Sequence, residues 1–223
     1  MIEKFIDKFN IEYLNLGIWR SICNRLLGRE KSDTDRYTEK AKIEKFGDDE
    51  GQQFEGIMNH LTVESGGNIH DNGVVEITAN SFNGNHHPKY LVDYKNDYYY
   101  ECSNSKVLSS ICFDFKDKAV NISSYTMKSN SNSDGSNGPK SWVVEVSKDG
   151  KNWEEIDRRE NNESLKGKNF VFTFKVQKQN HGFYRFVQLR QTSTAWYQLS
   201  NYIWFLALEF NGELKYPPEQ TKK

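Results

Sequence analysis

Trp196 and Tyr197 stand side by side in a stretch, residues 192–202, made mostly of Thr, Ser, Gln and Asn. Adjacent aromatic rings in polar surroundings offer an apolar face to a sugar ring or to an apolar anchor of a protein partner. The indole of Trp196 fits a second role equally well, folding back over the end of the fold as a plug. His86-His87 and the amides of Asn83, Asn85 and Asn137 add groups that donate and accept hydrogen bonds. Adjacent histidines with no third ligand at helical or hairpin spacing make a poor metal site, so they read as polar loop residues. Arg190, near the end of a strand-like run, offers a guanidinium fork to a carboxylate, either a ligand's or a neighbouring strand's. Tyr98-Tyr99-Tyr100 reads as core and edge packing rather than a stacking platform.

Catalytic patterns are missing. No pair of carboxylates is set by local spacing as acid and base. There is no Gly-x-Ser-x-Gly elbow, no Cys-His signature and no glycine-rich phosphate loop before a helix. The chain therefore reads as a non-enzyme. Its three cysteines, Cys23, Cys102 and Cys112, have neither zinc spacing nor an even count, and free thiols in a reducing compartment are the expectation. A formal net charge of −1 excludes a general polyanion binder, so no nucleic-acid partner is expected. No apolar run of membrane-spanning length and no signal-like amino terminus is present, which points to an intracellular, cytoplasmic protein without a membrane span.

Side chains of this kind need a scaffold. Residues 1–28 carry two short helical stripes, Ile2/Phe5/Ile6/Phe9 and Ile18/Trp19/Ile22/Cys23/Leu26, closed by Gly28. Residues 29–53 are charged and mixed in sign, and read as a surface linker. From Phe54 the pattern changes to short strands separated by turn residues. Val75, Ile77 and Ala79 share one face, as do Ile111, Phe113 and Phe115, and Phe170, Phe172, Phe174 and Val176. Residues 203–210 are apolar on both parities, as central strands can be. The centre of the pattern is residues 138–157, where Trp142, Val144 and Val146 share a face and Asp149-Gly150 supplies a turn. Trp153 and Ile156 fall on opposite parities, so the returning strand needs a bulge or a twist if both are buried. Seven or eight such strands make an antiparallel sandwich or barrel.

At five places the residues resemble discoidin domains, also called coagulation-factor-5/8 type C domains. Residues 75–81 resemble their "ITASS" opening. Ile111-Cys112-Phe113-Asp114-Phe115 resembles their "W-x-x-x-D-[LF]" strand, and residues 141–153 their "Y-x-[IV]-x-x-S-x-D-G-x-x-W" hairpin. Tyr184–Gln191 resembles "R-[YF]-[IV]-R-[IL]", and Leu208-Glu209-Phe210 the closing "E-[IL]-x-[GF]". The five run in register over about residues 54–212. The resemblance implies an all-β, antiparallel, eight-stranded jelly-roll β-sandwich of the galactose-binding-like type over 54–212, with 213–223 as a tail. Residues 19–29 also resemble the end of a BACK region, which points to intracellular BTB-associated members.

By that resemblance residues 81–89, 129–139 and 192–202 share one end of the sandwich. Asn83, His86, His87, Asn137, Arg190, Trp196 and Tyr197 are then the candidate ligand-binding set. Some members hold a structural calcium. Asp93 and Glu209 match its carboxylates, but Lys95 and Tyr98 replace helpful ligands, and calcium wants six to eight oxygens, so no cofactor is expected. The function taken from these readings is an intracellular protein-interaction domain, an adaptor in a BTB/ubiquitin-ligase setting, with a protein partner. The alternative is a carbohydrate-binding module with a glycan partner, and a hydrolase accessory domain ranks last. A far-ultraviolet circular dichroism spectrum dominated by strand is expected, and one dominated by helix would sink the sandwich reading.

Overall fold

The computed structural model describes residues 41–47, 53–95, 98–102, 107–130, 137–179, 182–196, 201 and 203–218. Cys23, the amino-terminal helical stripes and the BACK-like stretch lie outside them. One compact unit spans Ile43–Pro217. Its strands are β1 (Ile43–Phe46), β2 (Glu76–Ala79), β3 (Tyr100–Glu101), β4 (Ser110–Asp114), β5 (Ala119–Ser129), β6 (Trp142–Ser147), β7 (Glu154–Arg159), β8 (Val171–Lys175), β9 (Phe186–Gln191) and β10 (Trp204–Lys215). A helix, α1 (Ile57–Ser65), and a 3-10 helix, Pro88–Val92, precede most of them. One sheet runs β1-β10-β5-β8, with β3 also paired to β10, and the other runs β2-β4-β9-β6-β7. Every pairing is antiparallel. The expected sandwich is therefore present.

Alternation explains the core only once the bulges are counted. On β5, Val120 and Ile122 face inward on even numbers, whereas Tyr125 and Met127 face inward on odd ones. The switch falls where Gly212 pairs with Ile122 and Asn211 with Ser124, leaving Ser123 as the extra residue. Gly212 has φ +139°, and a Cβ there would lie 2.2 Å from the Asn121 carbonyl oxygen, so only glycine fits this bulge. A second bulge, between Phe205 and Ala207, lets Ile203 and Phe205 point inward with Leu208 and Phe210. That bulge, together with cover on the outer face, is the reason residues 203–210 are apolar on both parities. The hairpin β6–β7 carries a bulge, with Val144 paired to Asp157, Glu145 to Glu155 and Ile156 between them; it buries Ile156 and Asp157 together, while Trp153 is only half-buried.

Three segments differ from the sequence reading. Residues 43–46, within the stretch read as linker, form β1 on the edge of β10, and β10 itself continues to Lys215. The charged residues of β1 sit on an edge strand, where alternation is weak and charge is tolerated. Residues 57–65, within the stretch read as strands from Phe54 on, form α1, which ends at Gly66 in the left-handed conformation, whose N–H caps the Thr62 and Val63 carbonyls. On β8 the inward-parity rings split. Phe174 is buried, but Phe170 and Phe172 are half exposed, because β8 is the edge of its sheet.

The two sheets are joined by a polar contact inside the apolar core. Trp142 Nε1 donates to Tyr125 Oη at 2.8 Å, and Tyr125 Oη donates to Asp157 Oδ2 at 2.6 Å. Asp157 is 1% exposed and is neutralised by Arg159, with Nε to Oδ2 at 2.8 Å and Nη2 to Oδ1 at 2.9 Å. The Gln177 N–H donates to Asp157 Oδ1 as well. Burial, then the Asp157 charge, hold the Tyr125 hydroxyl well above its usual range. Tyr125→Phe leaves both the indole N–H and the carboxylate short of a partner. It is expected to cost about 1–3 kcal/mol of stability in denaturant unfolding. Combined with Trp142→Phe it should cost less than the two changes added, because they break the same contact.

Candidate functional site

β2, β5, β7 and β9 end where β4, β6, β8 and β10 begin, so the connections between them gather at one end of the sandwich. Backbone bonds knit these loops together. The Asn83 N–H donates to the Glu101 carbonyl at 3.0 Å, Cys102 N–H to Ile203 at 3.2 Å, and Trp204 N–H to Asn137 at 2.9 Å. Thr192 N–H donates to the Ser141 carbonyl at 2.9 Å, and Asn162 N–H to Lys140 at 2.8 Å. The three loops singled out in the sequence do share one end.

Within that end the candidate residues part company. Asn83 is exposed, and its carbonyl accepts the His86 N–H. The His86 ring stacks on Tyr99, centroids 4.2 Å apart and planes 19° apart, with Nε2 3.8 Å from the Glu101 carboxylate. Tyr99 in turn meets Trp204 at 5.9 Å. Asn137 joins this strip through its bond to the Trp204 backbone. Asn83, His86 and Asn137 thus border one band of half-buried rings: His86, Tyr99 and Trp204. Trp196 is half-buried and lies under two lysines, with Lys166 Nζ 4.4 Å and Lys140 Nζ 5.1 Å from the ring centroid. Its indole nitrogen is buried. Tyr197 lies outside the described residues.

Two candidates serve the fold. His87 Nδ1 accepts the Lys89 N–H and caps the 3-10 helix. Its ring packs against His70 at 4.9 Å and Phe82 at 4.7 Å. Burial, then His70 and Lys89, push its pKa below the usual imidazole value, with Asp71 opposing. His86 and His87 therefore have separate surroundings and do not act as a pair. Arg190 makes a bidentate pair with Glu145 on the neighbouring strand, Nε to Oε2 at 2.9 Å and Nη2 to Oε1 at 2.7 Å. Its fork serves a strand, not the loop end.

Tyr99, Glu101 and Trp204 were not among the residues chosen from sequence. A signal existed for Tyr99. Tyr100 is buried, with its hydroxyl donating to the Ser81 carbonyl at 2.8 Å, so alternation turns Tyr99 the other way. Tyr98 is more than half exposed and stacks on Tyr90. Tyr100 is thus in the core, while Tyr98 and Tyr99 pack against rings at the edge.

The calcium positions do not fit a cation. Glu209 is fully buried. Its Oε1 accepts the N–H groups of Met58 and Phe210, and its Oε2 accepts the Asn59 N–H and the Tyr94 hydroxyl, at 2.8–3.1 Å. Four donors direct their positive ends at these oxygens, where a metal would need to sit. Asp93 ends the 3-10 helix. Among the described residues no three His, Cys, Asp or Glu side chains form a metal-holding group. Cys102 and Cys112 are not joined in a disulfide, and burial pushes the Cys112 thiol up to about 11.

Glu209 acts instead as the N-terminal cap of α1, whose own cap position, Gly56, has no side chain to offer. Gly56 passes so close to β10 that a Cβ would lie 2.4 Å from the Phe210 carbonyl oxygen. Burial pushes the Glu209 carboxyl up to about 7, against the pull of its four donors. A group whose folded pKa lies above its unfolded value of 4.5 stabilises most in acid, and that contribution is lost as pH rises through 7. Glu209→Ala is expected to cost at least about 3 kcal/mol, since each orphaned buried donor costs about 1–3 kcal/mol. The gap in thermal midpoint between the parent and Glu209→Gln should narrow as pH rises from about 5 to 8.

Two open clefts of about 270 and 380 Å³ lie at the opposite end. The larger is walled by Lys148, Asp149, Asn152, Trp153, Glu154 and Tyr184. Its carboxylates are engaged: Asp149 accepts the Lys151 and Asn152 N–H groups at 2.8 Å each, and Glu154 the Tyr184 hydroxyl at 2.6 Å.

The F5/8 type C domain model matches residues 76–203, more than half of the chain, and the protein belongs to that family. Domains of this family are non-catalytic binding modules. Solved structures of the same kind are similar to it. CBM32-3 from a family 31 glycoside hydrolase of Clostridium perfringens has a TM-score of 0.51 at 19% identity, covering 63% of this chain and 92% of that one. The module CpGH89CBM32-5 of the same organism, in complex with GalNAc-β-1,3-galactose, has a TM-score of 0.49 at 19% identity, covering 62% and 96%. A family 89 glycoside hydrolase from C. perfringens, in complex with GlcNAc-α-1,4-galactose, matches at TM-score 0.49 and 15% identity over 66% of this chain and 15% of its own. No curated protein matches the chain. Among the described residues no helix is long and apolar enough to cross a membrane.

Proposed function

We propose that the domain is a non-catalytic glycan-binding module whose site is the loop end of the sandwich. The observation that carries this reading is the band His86–Tyr99–Trp204, bordered by Asn83, Asn137 and Glu101. A sugar presents apolar C–H faces and a ring of hydroxyls. Half-buried aromatic rings beside amides, an imidazole and a carboxylate answer both. Membership of a family of binding modules supports it. The BTB-adaptor reading leaned on residues 19–29, beyond the family match and outside the described residues, and on the cysteine pattern and the signal-free start, none of which bears on the loop end.

Glycan-array screening followed by calorimetry tests the proposal. Binding of at least one oligosaccharide at about millimolar affinity or better is expected. Tyr99→Ala and Trp204→Ala should each weaken it about tenfold or more, which is the usual cost of removing an aromatic contact at a binding centre. Absence of any glycan ligand, or full binding by both variants, would overturn it.

A further inference from the structure

Lys140 and Lys166 lie over a single indole. Each ammonium is within about 5 Å of the Trp196 ring centroid. Their separation cannot exceed those two distances together, which keeps them within roughly one Debye length, about 8–10 Å, at ordinary ionic strength. Two like charges this close repel. Cation–π attraction to the ring offsets part of that and fixes where the ammoniums stand. Lys166 has an anionic neighbour, Glu163, at 3.1 Å, and that carboxylate is exposed. Lys140 has no carboxylate partner among the described residues. Among the described residues the pair therefore has one carboxylate, Glu163, for two ammoniums.

The position of this pair is set by the fold. The Lys140 carbonyl holds the Asn162 N–H at 2.8 Å, Ser141 Oγ holds the Asn161 N–H at 3.0 Å, and the Ser141 carbonyl holds Thr192. These bonds lock the segment before β6, the β7–β8 loop and the β9–β10 loop together, and each supplies one member: Lys140, Lys166 and Trp196. Asn137, three residues before Lys140, is tied to Trp204. The charged pair and the aromatic band are thus neighbours at the same end.

We infer that this end of the domain selects acidic glycans: Lys140 and Lys166, held on Trp196, take the carboxylate of a uronic-acid-type sugar. The inference rests on the glycan-binding reading and adds the charge of its ligand. A carboxylate near both ammoniums relieves their repulsion and gains charge-assisted hydrogen bonds. A neutral sugar leaves the repulsion in place.

Calorimetry on the full chain, with a hexuronic-acid-terminated trisaccharide and its methyl ester, tests this. The two probes differ at one carboxyl, which is charged in the acid and capped by a methyl in the ester. The acid is expected to bind about tenfold more tightly than the ester, in line with about 1.5–3 kcal/mol for a hydrogen bond to a charged group. The preference should shrink as salt is raised. Lys140→Ala and Lys166→Ala should each bring the acid-to-ester ratio toward one, and Lys140→Arg should keep it above one. Equal affinity for acid and ester in the parent overturns the charge inference alone. Binding of neither probe, with hits elsewhere on a glycan array, overturns it as well and leaves the glycan reading standing. No glycan binding of any kind removes both.

Discussion

The Asp157 carboxylate is the constraint around which the sandwich is arranged. It is buried between two sheets that otherwise meet through apolar side chains, and a charge in such a place must be fully partnered. Tyr125 comes from one sheet, and Trp142 and Arg159 from the other, so the contact can form only when the sheets face each other in one register. Apolar packing alone tolerates sliding. A directional set of bonds with a phenol at its centre does not. The hairpin that holds Trp142 and Asp157 thereby orients the whole assembly, and its far strand carries the bulge that brings Ile156 and Asp157 inward together.

That orientation sends every connection of one kind to the same end. A sandwich has two ends, and here they differ in character. One gathers the long connections with their rings, amides and lysines. The other holds the tight β6–β7 turn and clefts whose carboxylates are already bonded within the fold. The loop end is where half-buried rings and the lysine pair coincide. The proposed binding role rests on those side chains, since a fold shared by many functions does not supply one.

Much of the scaffold was legible in the chain. Alternation placed Ile111, Phe113 and Phe115 inward, whereas the bulge in β7 serves Ile156 and the buried Asp157, not the half-buried Trp153. The site was legible only in outline. Asn83, His86 and Asn137 lie at the loop end, but His87 caps the 3-10 helix through Lys89, two residues on, and Arg190 is held by Glu145 on the next strand, a partner that no local spacing reveals. Tyr99 and Trp204 were hidden for the opposite reason. Each sits beside a strand residue whose apolar character looks like core, and only pairing across β3 and β10 shows which side each ring takes. Lys140 and Lys166 carry no motif at all. They matter because three loops distant in sequence converge on one indole.

The cap on α1 has a consequence for how the chain is made. The helix is nine residues long, too short to persist alone in water, and its N-terminal N–H groups wait for Glu209, some 150 residues further on. β1 likewise waits for the last strand. During synthesis, then, the first elements of this domain emerge from the ribosome without the partner that holds them. The molecule closes only when β10 arrives between them, so its folding is tied to the completion of the domain, not to its beginning.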